Sequence, residues 1–177
     1  MRILKKIILV IAIIIAIPLI IALFVKKEYT VEREVVINKP KQQVFDYVKL
    51  LKNQDYYNKW VQMDPNMKKD FRGTDGTVGF VYAWNGNSDA GEGEQEIKNL
   101  KDGDRVDVEI RFKRPMESTA AAPLVTEAIG DKQTKVRWSM QGKSPYPLNF
   151  MNLFMDALLG KDLETSLTNL KGILEKF

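Results

Sequence analysis

The chain has 177 residues, room for one domain and an appendage, and it contains neither histidine nor cysteine. Ser-His-Asp and Cys-His nucleophilic sites, the common zinc constellations and disulfides are therefore excluded. The net charge of +4 is unevenly spread: residues 1–27 hold five of the 27 basic side chains and no acidic one, which leaves 22 basic against 23 acidic. The remainder thus lacks the basic excess that nucleic-acid binding uses.

From Ile7 to Val25 the sequence is uncharged and almost wholly Ile, Leu, Val and Ala. As a helix at about 1.5 Å per residue this run extends roughly 28 Å, close to the ~30 Å apolar thickness of a bilayer. Pro18 lies inside it, which a membrane helix tolerates. A cleaved signal peptide would share the basic start of Arg2, Lys5 and Lys6. Its apolar core is usually only about 7–15 residues, however, and ends at a small-x-small site. Leu23-Phe24-Val25-Lys26-Lys27 offers none, so the preferred reading is an uncleaved anchor over 1–27 and a domain over 28–177. The basic residues ahead of the run lean toward an N-terminus in the cytoplasm and a domain outside it.

Tyr29 to Ile37 is expected to be a strand with Val31, Val35 and Ile37 on one face, interrupted by Arg33. Asn38-Lys39-Pro40 then starts a helix carrying Val44, Phe45, Val48 and Leu51, followed by a second short helix over Gln54 to Trp60. Lys68 to Arg72 suits a short strand. Thr77 to Leu100 reads as two strands joined at Asn85-Gly86-Asn87-Ser88-Asp89. Val78, Phe80, Tyr82 and Trp84 share a face of the first, and Gly91, Gly93, Gln95 and Ile97 a face of the second. Rings set beside bare glycines predict a hollow on the inner face, although a glycine within a strand equally marks a bulge.

Arg105 to Lys113 is the cleanest alternation, with Val106, Val108, Ile110 and Phe112 inward. Ser118 to Ile129 is expected as an edge strand or one with a bulge at Pro123, and Lys135 to Gln141 as a strand with Val136, Trp138 and Met140 inward. Pro145 and Pro147 introduce a helical region striped by Phe150, Leu153, Phe154, Ala157 and Leu158. Gly160 is a possible break, after which Leu163, Leu167, Leu170, Leu174 and Phe177 continue the stripe.

This order gives an α+β domain: one curved antiparallel sheet whose apolar face is covered by the long C-terminal helix. A β-sandwich would leave that helix stripe with no groove to fill. Glu92, Glu94 and Glu96 read as the solvated outer face of the sheet rather than a cation site, and no metal, cofactor or catalytic constellation is expected. Arg111, Lys113 and Arg114, like Lys68, Lys69 and Arg72, read as solvated surface that would meet anionic head groups only if turned to a membrane. Tyr82, Trp84, Trp138, Met140, Phe150, Phe154 and Trp60 are expected to approach the space between sheet and helix, as core or as pocket wall. Tyr82, Gln95 and Arg33 are the polar groups placed to orient a ligand there.

The run VGFVYAWNGNSDAGEGEQEI, the preceding NKWVQMDPNMKKDFRGTDGTVG, the later TKVRWSMQG and the terminal GKDLETSLTNLKGILE together resemble the SRPBCC or START-like superfamily, within it the bacterial polyketide cyclase/dehydrase and lipid transport group. The resemblance extends from Tyr29 to Phe177 and implies the helix-grip fold, a curved sheet wrapped around a long C-terminal helix with an internal cavity. It does not fix an activity, since members include lipid carriers, receptors and cyclases. The reading that follows is a membrane-anchored module holding a lipid or other hydrophobic small molecule. An enzyme of the cyclase or dehydratase kind and an envelope protein-interaction domain stand as alternatives.

Overall fold

The computed structural model describes residues 2–176. An N-terminal helix α1 (Arg2–Ala22) precedes strand β1 (Glu28–Ile37). The apolar run continues to Val25, but the helix ends at Ala22, where Leu23 and Phe24 turn back on the carbonyls of Ile20 and Ile21. Within α1, Ile3–Ala22 is long and apolar enough to cross a membrane.

After β1, Pro40 sets an extended backbone (φ −58°, ψ 144°) and α2 (Lys41–Val48) starts immediately behind it, burying Val44, Phe45 and Val48. A short α3 (Gln54–Tyr57) follows, then β2 (Lys68–Arg72) and β3 (Val81–Asn85). The expected strand from Thr77 starts only at Val81. Gly76 and Gly79 both adopt positive φ, and the chain turns through Thr77 before entering the sheet, which leaves Val78 exposed.

Strands β4 (Glu92–Lys101) and β5 (Arg105–Arg114) form the longest hairpin. In β5 the predicted alternation is observed, with Val106, Val108 and Ile110 buried. Ser118 to Ile129 is divided into β6 (Ser118–Ala121) and β7 (Leu124–Gly130), because Pro123 lacks the N–H a continuous ladder requires. Strand β8 (Gln133–Lys143) then leads to a 3₁₀ turn at Leu148–Phe154 and the long helix α4 (Met155–Leu174).

Among the described residues the sheet has eight strands, all antiparallel, in the order β1-β8-β6-β5-β4-β3-β2 with β7 pairing β5 and β8. The first and last strands are joined in register from Glu28–Lys143 to Ile37–Thr134. The sheet grips α4, whose buried face is Gly160, Leu163, Ser166, Leu167, Leu170 and Leu174. Phe177, expected to extend this stripe, lies outside the described residues. Two departures concern this helix. Gly160 does not break it, since helix continues through residue 160. The stripe of Leu153, Phe154, Ala157 and Leu158 is exposed rather than seated on the sheet.

The core has two lobes. One gathers Val31, Ile37, Val136, Trp138 and the α4 leucines; the other gathers Phe45, Phe80, Tyr82, Ile97, Ile110 and Met140. Trp60 and Leu159 pack against both.

Candidate ligand cavity

Where the two lobes meet, the packing leaves a cavity of about 200 Å³. Its floor is the concave face of the sheet. The β3–β4 register pairs Tyr82 with Gln95 and Trp84 with Gly93, so strand alternation brings all four to one face. Ile110 and Phe112 from β5 and Met140 from β8 extend this floor. Trp60, Val61 and Met67 close one side, and Leu159 of α4 closes the top. Exposed Asp89, Arg114 and Pro115 form the rim.

The glycines act differently from a pair of bare positions. Gly91 is not in the strand; it turns at φ +67°, and a Cβ there would meet the Arg114 carbonyl at 2.5 Å. Gly93 sits at a register shift beside Glu92, and a Cβ on it would lie 2.7 Å from the Trp84 indole. The ring occupies the space the missing side chain leaves, and its Nε1 donates to the Ala90 carbonyl at 3.1 Å. The hollow lies next to this ring, toward Tyr82 and Met140, and not over the glycine itself.

Three amides form a polar corner. Asn58 Nδ2 and Gln95 Nε2 both donate to Gln54 Oε1, at 2.9 and 3.1 Å, and all three residues are buried. The Tyr82 hydroxyl donates to Asp55 Oδ1 at 2.7 Å, and Lys69 closes on the other Asp55 oxygen at 2.9 Å. Burial, reinforced by this carboxylate, raises the Tyr82 hydroxyl pKa far above the usual phenol range, so it stays a protonated donor. Among the described residues no group of three or more Asp or Glu is placed to hold a metal.

Of the residues singled out from sequence, Tyr82, Trp84, Gln95, Met140 and Trp60 converge on the cavity. Trp138 lies deeper, in edge contact with Tyr57 and Trp60 at 6.0 and 6.3 Å between ring centres. Phe150 and Phe154 pack on each other, 5.5 Å apart, outside the cavity. Arg33 is directed away from it. Its guanidinium crosses α4 above Gly160 and makes two bonds to Asp156, at 2.8 and 3.0 Å. The Gln54–Asn58 corner and Leu159 were not singled out. Two amides four residues apart, one opening a short helix and one just past its end, carry no sequence signal that separates a buried polar corner from a wet surface.

On the outer face, Glu94 and Glu96 are paired with Arg111 at 2.9 and 2.8 Å, Glu94 also with Arg72 at 2.5 Å, and Glu92 with Arg114 at 3.1 Å. These arginines hold the Glu94 and Glu96 carboxyls below their ordinary range. The Arg111 end of the basic cluster is thereby neutralised within the sheet.

A curved antiparallel sheet closed on a long C-terminal helix over an internal cavity defines the START-like helix-grip fold. The profile of the family described as polyketide cyclase / dehydrase and lipid transport matches residues 28–175, and the chain belongs to that family. Solved structures with the same architecture include norcoclaurine synthase from Thalictrum flavum in complex with dopamine and hydroxybenzaldehyde (9% identity, TM-score 0.66, covering 89% of this chain and 92% of that one). Others are Ara h 8.0201 (14%, TM-score 0.57, 85% and 99%) and the Aha1 dimer from Colwellia psychrerythraea (17%, TM-score 0.57, 82% and 96%). At these identities the likeness is one of fold. No curated protein matches the sequence.

Proposed function

We propose that this protein is a membrane-anchored binding module that holds a hydrophobic small molecule, or part of a lipid, between its sheet and α4. The observation that carries the reading is the cavity of about 200 Å³, walled by Trp84, Ile110, Phe112, Met140 and Leu159, with Tyr82 and the Gln54–Asn58–Gln95 corner as its polar groups. A void of about 150 Å³ with aliphatic and aromatic walls takes up benzene. The volume here therefore matches one ring or the end of an acyl chain, not a whole two-chain lipid. A relative in fold was captured with dopamine and hydroxybenzaldehyde. Tyr82 and the three amides orient a ligand by hydrogen bonding, and binding is what these groups supply.

The helix α1 serves as the anchor, and the basic residues Lys5 and Lys6 in its first turns, ahead of the apolar run, favour an extracytoplasmic domain. Protease added to intact cells degrades the domain in that orientation and spares it in the opposite one. For the ligand, the full chain is isolated in polymer-bounded native membrane discs and its bound molecules are identified by mass spectrometry against Ile110→Trp, which fills the cavity. A stoichiometric apolar molecule present in the parent and missing from Ile110→Trp supports the reading. Equal content in both proteins overturns it.

A further inference from the structure

Beside the C-terminal end of α1 the domain presents an apolar surface left uncovered among the described residues. Leu148, Met151, Leu153, Phe154 and Leu158, from the 3₁₀ turn and the first turn of α4, are all exposed, Leu153 by 55%. Single exposed apolar side chains are ordinary; five of them within residues 148–158 mark a contact. Two asparagines in the same segment fix its position. Buried Asn149 donates through Nδ2 to the carbonyls of Ala22 and Val25 at 2.6 and 2.8 Å, and Asn152 donates to those of Lys26 and Lys27, each at 2.9 Å. Carbonyls at the end of a helix lack partners within it, so these bonds lock the turn to the end of the span.

Length then decides what covers the surface. The uncharged helical stretch Ile7–Ala22 extends about 24 Å at roughly 1.5 Å per residue, and the apolar run continues to Val25, so the ~30 Å apolar thickness of a bilayer ends near Val25. If α1 spans, the boundary between hydrocarbon and head groups falls within Ala22 to Lys27, and the segment bonded to the carbonyls of these residues lies there too. We infer that Tyr146 to Leu158 is a second, non-spanning membrane element, a short apron set into the lipid interface beside the anchor. The inference rests on the anchor reading given above.

The sheet register adds a consequence. Glu28 pairs with Lys143, Gly142 with Ala120, Ser118 with Phe112, Arg114 with Glu92 and Glu92 with Asn85. All of these lie at the end of the sheet where α1 joins it. The rim of the cavity, at Asp89, Arg114 and Pro115, belongs to the same end, as does exposed Met116. The apron thus turns the cavity mouth toward the bilayer, and the polar turns at Asp102–Asp104 and Asp131–Lys132 point away from it.

The chain has no cysteine, so single cysteines can be placed in the full protein and labelled with bimane. The protein is reconstituted in phosphatidylcholine vesicles with nitroxide-bearing lipid as quencher. Leu153→Cys and Phe154→Cys report the apron, Met116→Cys the mouth, Ile14→Cys the span and Asp131→Cys the far end. The expected result is loss of most fluorescence at Ile14, Leu153 and Phe154, partial loss at Met116, and none at Asp131. Quenching at Ile14 with Leu153 and Phe154 as unaffected as Asp131 overturns the apron and leaves the anchor standing. Quenching at Leu153 but not at Met116 overturns the placement of the mouth. An unquenched Ile14 removes the anchor reading and the inference with it.

Discussion

Gly93 and Gly160 look alike in the sequence and answer differently to the same substitution. A methyl on Gly93 meets the Arg111 carbonyl at 2.6 Å and the Trp84 indole at 2.7 Å, and neither has room to yield without moving backbone or a packed ring. Gly93→Ala is expected to cost about 1–3 kcal/mol, the usual range for overpacking, measured by denaturant unfolding. The three atoms nearest a methyl on Gly160 all belong to the guanidinium of Arg33, the far end of a flexible side chain. There the helix gains up to about 1 kcal/mol from replacing glycine, and the loss is an exposed, solvent-screened ion pair that contributes little. Gly160→Ala is therefore expected to be near neutral while it separates Arg33 from Asp156, seen as an upward return of the Asp156 carboxyl pKa by NMR titration. The sequence made the cross-strand glycine legible as a special position. Whether a neighbouring ring fills the gap depends on the Trp84 rotamer, which no pattern of residues records.

At the level of elements, the alternation of β5 and the leucine stripe of α4 were legible because both are set by period and burial. Leu167→Ala removes a buried side chain from the grip and is expected to cost about 2–5 kcal/mol. Leu158→Ser, one of the exposed group, is expected to stay within about 0.5 kcal/mol in thermal unfolding. The stripe from Phe150 to Leu158 was misread as facing the sheet for a physical reason. A helical period shows that one side is apolar but not which body that side meets. The β4–β5 carboxylates give a pH dependence. Glu94 and Glu96 have folded-state pKa values below their ordinary 4.5, Glu94 through Arg72 and then Arg111, Glu96 through Arg111 and then Lys98. Their contribution is complete above about pH 4.5 and is lost as pH falls through the lowered values. Arg111→Gln removes the shared partner and is expected to move the acid-unfolding midpoint, followed by circular dichroism, to higher pH.

At the level of the whole molecule, the α+β class and the sheet-on-helix arrangement followed from the order of elements. The pairing of β1 with β8 did not, because register between the first and last strands is a tertiary event with no local signature. That closure draws the sheet around α4 and leaves two core lobes with unfilled volume where they meet. The volume is the centre of the account, and the protein's own methionines report on it. Met67 and Met140 line the cavity, while Met116 and Met151 are exposed. Xenon enters apolar voids of this size. With methyl-labelled methionine, xenon-saturated solution is predicted to shift the Met67 and Met140 methyl resonances, leave those of Met116 and Met151 in place, and have no effect on Met140 in Ile110→Trp. A Met140 resonance that does not respond to xenon would contradict the existence of an accessible apolar cavity.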